Sequence, residues 1–135
     1  MTYLDRAKEY FAKDIFSTQL MGTEIVEVQE GYAKCSLALC KKHLNAEGDV
    51  MGGVLFTLAD FAFAVAANLN QPTTVSLSCQ IAFLSPPRGK TLIAEARRVR
   101  AGYSTCYYDV EVKDEEGNMV SAVGVTGFIK RPHEG

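Results

Sequence analysis

Residues 51–69 read MGGVLFTLADFAFAVAANL. The stretch is apolar on every side and carries one ionisable residue, Asp60. Its length approaches that of a membrane span. Two glycines open it, however, Asp60 and Asn68 interrupt it, and strand-like patterns flank it. The reading is a buried helix, with no membrane involved. A helix that is apolar all round has to be enclosed by other elements, so the rest of the chain must supply a surface that wraps it.

The flanks supply strands. Val75, Leu77, Cys79, Ile81 and Phe83 alternate with Ser76, Ser78 and Gln80, and Ser85-Pro86-Pro87-Arg88-Gly89 ends that run. Residues 90–100 predict the next strand, and Ala101-Gly102 turns the chain. Cys106, Tyr108, Val110 and Val112 alternate with Tyr107, Asp109 and Glu111. Glu116-Gly117-Asn118 is a hairpin signal, and Val120–Ile129 follows as the last strand, ended by Pro132. Before the helix, Thr23–Val28 and Ala33–Leu39 predict a hairpin about Glu30-Gly31, and residues 41–50 form a polar loop. Leu4, Ala7, Phe11, Ala12 and Ile15, spaced by three and four, predict an amphipathic helix over 3–16. Short connections among the last strands favour antiparallel pairing. The fold class is α+β, with one curved antiparallel sheet wrapped around a long central helix. A single layer leaves one side uncovered, so self-association is expected. No repeat or linker divides the chain. It reads as one domain over 1–135, with 1–20 as N-terminal helix and lead-in and 132–135 as a C-terminal tail.

The net charge of −2 and the lack of long like-charge runs argue against nucleic-acid binding. The N-terminus, MTYLDRAKEYFAKD, has no basic segment followed by an apolar run, so it does not read as a signal peptide. The four cysteines form no C-x-x-C pair, and the two histidines are His43 and His133. No zinc site, other metal or cofactor is expected, and the thiols suit a reduced, cytoplasmic protein. There is no G-x-S-x-G elbow and no Walker or dinucleotide glycine pattern.

Asp60 is the main chemical clue. A carboxylate inside an apolar helix costs desolvation energy and lowers helix propensity. It persists when it is paired, hydrogen-bonded or functional. A bond to a nearby hydroxyl or arginine is the structural explanation. The functional one gains from Gly52-Gly53, which begin the helix. Free N–H groups at a helix start carry partial positive charge. Glycine there admits close approach by a ligand, as an oxyanion site requires. By alternation, Arg98 and Arg100 share one face of their strand.

The stretch His43-Leu44-Asn45-Ala46-Glu47-Gly48-Asp49-Val50-Met51-Gly52-Gly53, running on to Asp60, resembles the signature of PaaI-like hotdog thioesterases, roughly H-x-N-x-x-G-x-x-H-G-G-x-x-x-x-L-x-D. Phe83-Leu84-Ser85-Pro86 is similar to the family's F/Y-L-x-P segment, and the resemblance covers about residues 20–130. It implies a hotdog fold and hydrolysis of an acyl-CoA thioester. Asp60 is then the nucleophile or the general base. The Gly52 N–H, with Gly53, holds the thioester oxygen, Asn45 helps position water or thioester, and Ser76 is a polar active-site side chain. Met51 stands where the family often has His, which leaves the backbone as oxyanion donor and an apolar wall. The acyl group is expected near Phe56, Phe61 and Phe63, and Arg98 and Arg100 are candidates for CoA phosphates. The family's sites lie between subunits, which implies a homodimer, or a dimer of dimers, with Gly52 and Asp60 of one site on different chains. A non-catalytic acyl-CoA or aromatic-ligand binding protein is the alternative. A hotdog dehydratase or an acyl-carrier-protein thioesterase ranks third, and the helix lacks the His expected of a dehydratase.

Overall fold

The computed structural model describes residues 1–131. The tail expected over 132–135, including His133, lies outside the described residues. Helix α1 (Tyr3–Phe11) begins in a reciprocal cap. The Asp5 N–H donates to the Thr2 hydroxyl at 3.0 Å, and the Thr2 N–H donates to the Asp5 carboxylate at 3.1 Å. The single helix expected over 3–16 is not formed. After Phe11 the chain turns and re-forms as a π-helical turn, Phe16–Met21, closed by Gly22 at φ 89°. Phe11 is the last residue of the apolar pattern to reach the core, whereas Ala12 and Ile15 stay exposed, so no burial sustains the longer helix.

The strands form one antiparallel sheet in the order β1 (Glu24–Gln29), β2 (Tyr32–Ala38), β4 (Thr91–Ala101), β5 (Thr105–Asp114), β6 (Met119–Ile129), β3 (Thr74–Phe83). β3 therefore pairs with β6 rather than with its sequence neighbour β4. Residues 84–90 carry the chain between the two. The Asp114 carboxylate anchors that crossing by accepting the N–H groups of Arg88 at 2.8 Å and Gly89 at 3.1 Å.

Helix α2 (Gly52–Asn68) lies against the sheet and packs on β2, β4 and β5. Leu58, Ala59, Ala62, Val65 and Ala66 are fully buried there, facing Ala33, Cys35, Ala94 and Ala96. Alanines on both surfaces let the helix backbone approach the sheet closely. Burying Leu58 alone contributes roughly 1.5–3 kcal/mol. Asn68 ties the end of α2 to the start of β3: its side-chain oxygen accepts the Thr74 N–H at 2.7 Å, and its amide donates to the Thr74 carbonyl at 3.1 Å. The sequence predicts that α2 is enclosed, yet its own chain leaves one stripe open. Gly53 is exposed, and Phe56, Thr57, Asp60 and Ala64 are only half-buried, at the spacing of one helix face.

Two bulges reset the strand faces. Between Ser76 and Ser78 the β3–β6 register shifts by a residue, so Ser76 pairs with Gly127 and Cys79 with Val125. Gly127 and Val125 are buried against the helix side. Strict alternation groups Ser76 with Ser78 and Gln80; the bulge instead places it with Cys79, facing α2. A second bulge separates Arg98 from Arg100. Arg98 pairs with the buried Tyr108 and Arg100 with the exposed Tyr107. The two arginines therefore lie on opposite faces, not on the shared face that alternation predicts.

Candidate active site

The N-terminus of α2 is held by a tightly bonded loop. His43 is 2% exposed. Its Nδ1 accepts the Cys40 N–H at 3.0 Å, and its Nε2 lies 2.8 Å from the Met21 carbonyl oxygen. Accepting at Nδ1 and donating at Nε2 requires the neutral ring with its proton on Nε2. The His43 carbonyl in turn accepts the Met51 N–H at 2.9 Å. The Asn45 side-chain oxygen accepts the Glu47 N–H at 2.9 Å and the Asp49 N–H at 3.1 Å, and Gly48 takes φ 84°. His43 thus braces the segment that presents Gly52. Replacing His43 by Leu is expected to leave the Met21 carbonyl buried without this partner and to remove the acceptor of the Cys40 N–H. Urea denaturation should then show roughly 2–4 kcal/mol less stability, and an unchanged transition would remove this brace from the account.

Among the described residues the N–H groups of Gly52 and Gly53 donate to nothing. A Cβ on Gly52 would stand 3.1 Å from the Phe83 ring, so the close approach favours glycine, whereas Gly53 faces open space. Met51 precedes them, 44% exposed, and makes no side-chain cap. A cleft of about 420 Å³ opens beside Gly52, lined in part by Leu55, Phe83, Leu84, Pro86 and Pro87. The phenylalanines of the helix, expected near the acyl group, do not line this cleft. Phe61 and Phe63 are 2% exposed and packed edge-on against Phe11 and Tyr108 in the core. Only Phe56 of the three keeps partial exposure. Of the wall, the segment Phe83-Leu84-Ser85-Pro86 was legible in the sequence.

Asp60 lies on the open stripe of α2. Its carboxyl has no hydrogen bond or ion pair among the described residues. Burial, and then the negative charge of Asp14, raise its pKa above the usual aspartate value. Cys79 of β3 is near enough to feel Asp60: burial raises the thiol's pKa first, and the Asp60 charge adds to that. Ser76 stands beside Cys79 on the same face. Asp60, Cys79 and Ser76 thus lie near one another, and the charge of the exposed Asp14, in the turn after α1, reaches Asp60. Asp14 and Cys79 were missed by sequence reasoning. Cys79 had a signal in its strand position; Asp14 had none, because only folding brings the end of α1 to α2.

Gly52 and Asn45 are not brought to Asp60 within one chain. Eight residues along an α-helix span about 12 Å. Arg98 lies towards the other end of α2, where its N–H donates to the Gly31 carbonyl at 2.9 Å, the Gly31 N–H donates to the Ala66 carbonyl at 3.0 Å, and Arg98 Nη1 is 3.9 Å from Glu30. Arg98 and Arg100 therefore join neither Gly52 nor each other.

Among the described residues no three His, Cys, Asp or Glu side chains gather as a metal site, the four cysteines are unpaired, and no helix is long and apolar enough to cross a membrane. Turnover is accordingly expected to survive treatment with a strong chelator unchanged. Loss on chelation, restored by one added metal ion, would contradict this.

An antiparallel sheet wrapped on one long helix, with a carboxylate in mid-helix and free glycine N–H groups at its start, is the arrangement of a hotdog-fold thioester hydrolase. The thioesterase superfamily profile matches residues 47–121, from the loop before Gly52 into β6. The chain is 34% identical to a putative esterase of Archaeoglobus fulgidus across 97% of its own length and 84% of that protein. It is 35% identical to the acyl-coenzyme A thioesterase PaaI of Escherichia coli, across 75% of this chain and 73% of that one. The structure of the E. coli PaaI protein superposes with a TM-score of 0.82 at 28% identity, covering 95% and 96% of the two chains. A Streptococcus mutans protein, solved bound to acetyl CoA, matches with a TM-score of 0.77 at 25% identity over 83% of this chain and 91% of that one. The chain belongs to the thioesterase superfamily, in its PaaI-like hotdog group.

Proposed function

We propose that this protein hydrolyses acyl-CoA thioesters to the free acid and CoA, at sites shared between two copies of the chain. One observation carries the reading: Asp60 is a half-buried carboxyl with no partner, on a helix stripe that its own chain leaves uncovered. Asp60 attacks the thioester carbon or takes a proton from the attacking water. The Gly52 N–H of the partner subunit, backed by the helix dipole and by Gly53, stabilises the oxyanion. Collapse of the tetrahedral intermediate expels the CoA thiolate. Ser76 offers a hydroxyl near the reacting groups. Asn45 acts through the loop that it folds, with its amide NH₂ left for substrate or water. Met51 adds apolar surface.

The cleft beside Gly52 is of the size that ligand pockets have, and its apolar lining suits an acyl or pantetheine chain. The E. coli relative is an acyl-coenzyme A thioesterase, and the S. mutans neighbour holds acetyl CoA. The free thiols support a cytoplasmic setting. Sharing between subunits follows from the distance of about 12 Å between Gly52 and Asp60, since donor and attacking group must both lie within about 3 Å of one carbonyl. The open edge of β3, with Leu77 60% and Phe83 59% exposed, gives the second copy an apolar surface to cover. The test is CoA release from acetyl-, hexanoyl-, palmitoyl-, benzoyl- and phenylacetyl-CoA. Turnover of at least one is expected. Saturable binding without CoA release would favour the non-catalytic alternative instead.

A further inference from the structure

The outer wall of the cleft beside Gly52 is mounted on the turn between β5 and β6. Leu84, Ser85, Pro86 and Pro87 line the cleft. Leu84, Ser85 and Pro86 are exposed and Pro87 is half-buried, so burial does not fix their place. Hydrogen bonds at either end do. At the near end, the Leu84 N–H donates to the Val120 carbonyl at 2.9 Å, and the Ser85 hydroxyl donates to the Met119 carbonyl at 2.8 Å. At the far end, Asp114 accepts the N–H groups of Arg88 and Gly89, and Glu115 accepts the next two. The Lys90 N–H donates to Glu115 Oε1 at 2.7 Å, and the Thr91 N–H donates to Oε2 at 2.8 Å. The Glu115 N–H donates back to the Thr91 carbonyl at 3.1 Å. Two neighbouring carboxylates thus grip consecutive N–H groups of the chain that carries the wall.

Between the anchors lies Pro86-Pro87. Proline has no N–H to donate and a fixed φ, so this span is stiff. A shift at the Arg88 end is therefore carried to the cleft instead of being absorbed on the way. Gly89 shows how close the grip is. A Cβ there would overlap the Glu115 carboxylate, although its φ lies outside the left-handed region that calls for glycine. The two acids differ in duty. Asp114 is 2% exposed and also orders the turn itself, by accepting the N–H groups of Glu116 and Asn118. Glu115 is exposed, and its carboxylate bonds to the wall segment.

We infer that the Asp114-Glu115 turn sets the acyl-chain preference by fixing the outer wall of the cleft, with Glu115 a positioning residue that acts through Pro86 and Pro87. This rests on the cleft beside Gly52 receiving the acyl group of the substrate. Releasing the grip lets the wall drift, and an acyl chain long enough to reach it then loses apolar contact.

The experiment compares kcat/KM for hexanoyl-CoA and acetyl-CoA in wild type, Glu115→Gln, Glu115→Ala, Gly89→Ala and the doubly substituted Gly89→Ala, Glu115→Ala. Glu115→Ala is expected to lower the hexanoyl-to-acetyl ratio several-fold, mainly through KM, because the longer chain reaches the wall and the shorter one does not. Glu115→Gln keeps one acceptor oxygen and should fall between. Gly89→Ala displaces the same carboxylate from the other side and should shift the ratio the same way. The double variant should be no worse than Glu115→Ala, since the clash is with the carboxylate that is gone. A ratio unchanged in Glu115→Ala overturns the inference. So does an even loss on both substrates, which a merely structural turn, or a cleft that holds pantetheine, would give. The Kd values of S-ethyl- and S-hexyl-CoA, thioethers that cannot be hydrolysed, make the same comparison by calorimetry. A wild type that releases no CoA, with a thioether Kd ratio that moves in Glu115→Ala, sinks hydrolysis and leaves the wall inference standing. Hydrolysis by the wild type with both ratios unmoved sinks this inference alone. Should Glu115→Ala not fold, Glu115→Gln takes its place in both measurements.

Discussion

Asp60→Asn is expected to fold as the wild type does and to lose roughly 10²–10⁴-fold in CoA release, the usual scale for a lost general base. The side chains are almost the same size, so packing along α2 is preserved. Among the described residues no hydrogen bond or ion pair is broken, because the Asp60 carboxyl has none. Removing a half-buried, unpaired charge that is also repelled by Asp14 relieves a desolvation cost and a Coulomb cost. The unfolding midpoint at neutral pH should therefore hold or rise while activity collapses. Those opposite movements distinguish a functional carboxylate from a structural one, whose loss lowers both. The reaction itself has a matching pH dependence. In the proposed mechanism Asp60 works as its carboxylate, so activity is expected to fall as pH drops through its raised pKa. A folded Asp60→Asn variant with near-wild-type turnover would take Asp60 out of the mechanism.

The second large effect is complementation between two dead variants. Gly52→Pro removes one N–H at the first position of α2, where proline suits a helix. Met51 before it already has the extended backbone, φ −60° and ψ 136°, that a residue preceding proline adopts. The Phe83 ring, 3.1 Å from a Cβ at Gly52, has to yield slightly, and it is 59% exposed and free to do so. Loss of one oxyanion donor costs on the order of 10²–10³-fold in kcat. Mixed with Asp60→Asn subunits and allowed to exchange, Gly52→Pro subunits should return activity. A mixed dimer joins the intact Asp60 of one chain to the intact Gly52 of the other at one site and carries both substitutions at the second. Random exchange makes about half the dimers mixed, each with one working site of two, so about a quarter of wild-type activity should appear. If native mass spectrometry confirms exchange, both variants are folded and no activity returns, the shared site is wrong. A fully active monomer would contradict it more directly.

Much of this was legible in the residues. Only an enclosed helix reconciles nineteen largely apolar positions with one aspartate, and the apolar alternation in the flanks supplied the strands. The spacing from Asn45 through Gly52-Gly53 to Asp60 marked a candidate site through its resemblance to the PaaI-like signature. What failed did so for local reasons. The helix expected over 3–16 broke after Phe11 because periodicity records which residues are apolar, not which of them reach a core. Phe61 and Phe63 were expected near substrate because they flank Asp60. Neighbours along a helix point in different directions, and these two point into the core.

The sequence by itself determined the largely buried helix, the strand content, Asp60 and the glycine N-terminus of α2, since each depends on residue type and short-range spacing. Tertiary structure alone decided which side chains share a face across the bulges and which distant segments meet. One extra residue at Leu77 puts Ser76 on the same face as Cys79, and one at Val99 sends Arg98 and Arg100 to opposite sides. A strand's period is two, so a single inserted residue inverts every later assignment, and no residue in the run announces the insertion.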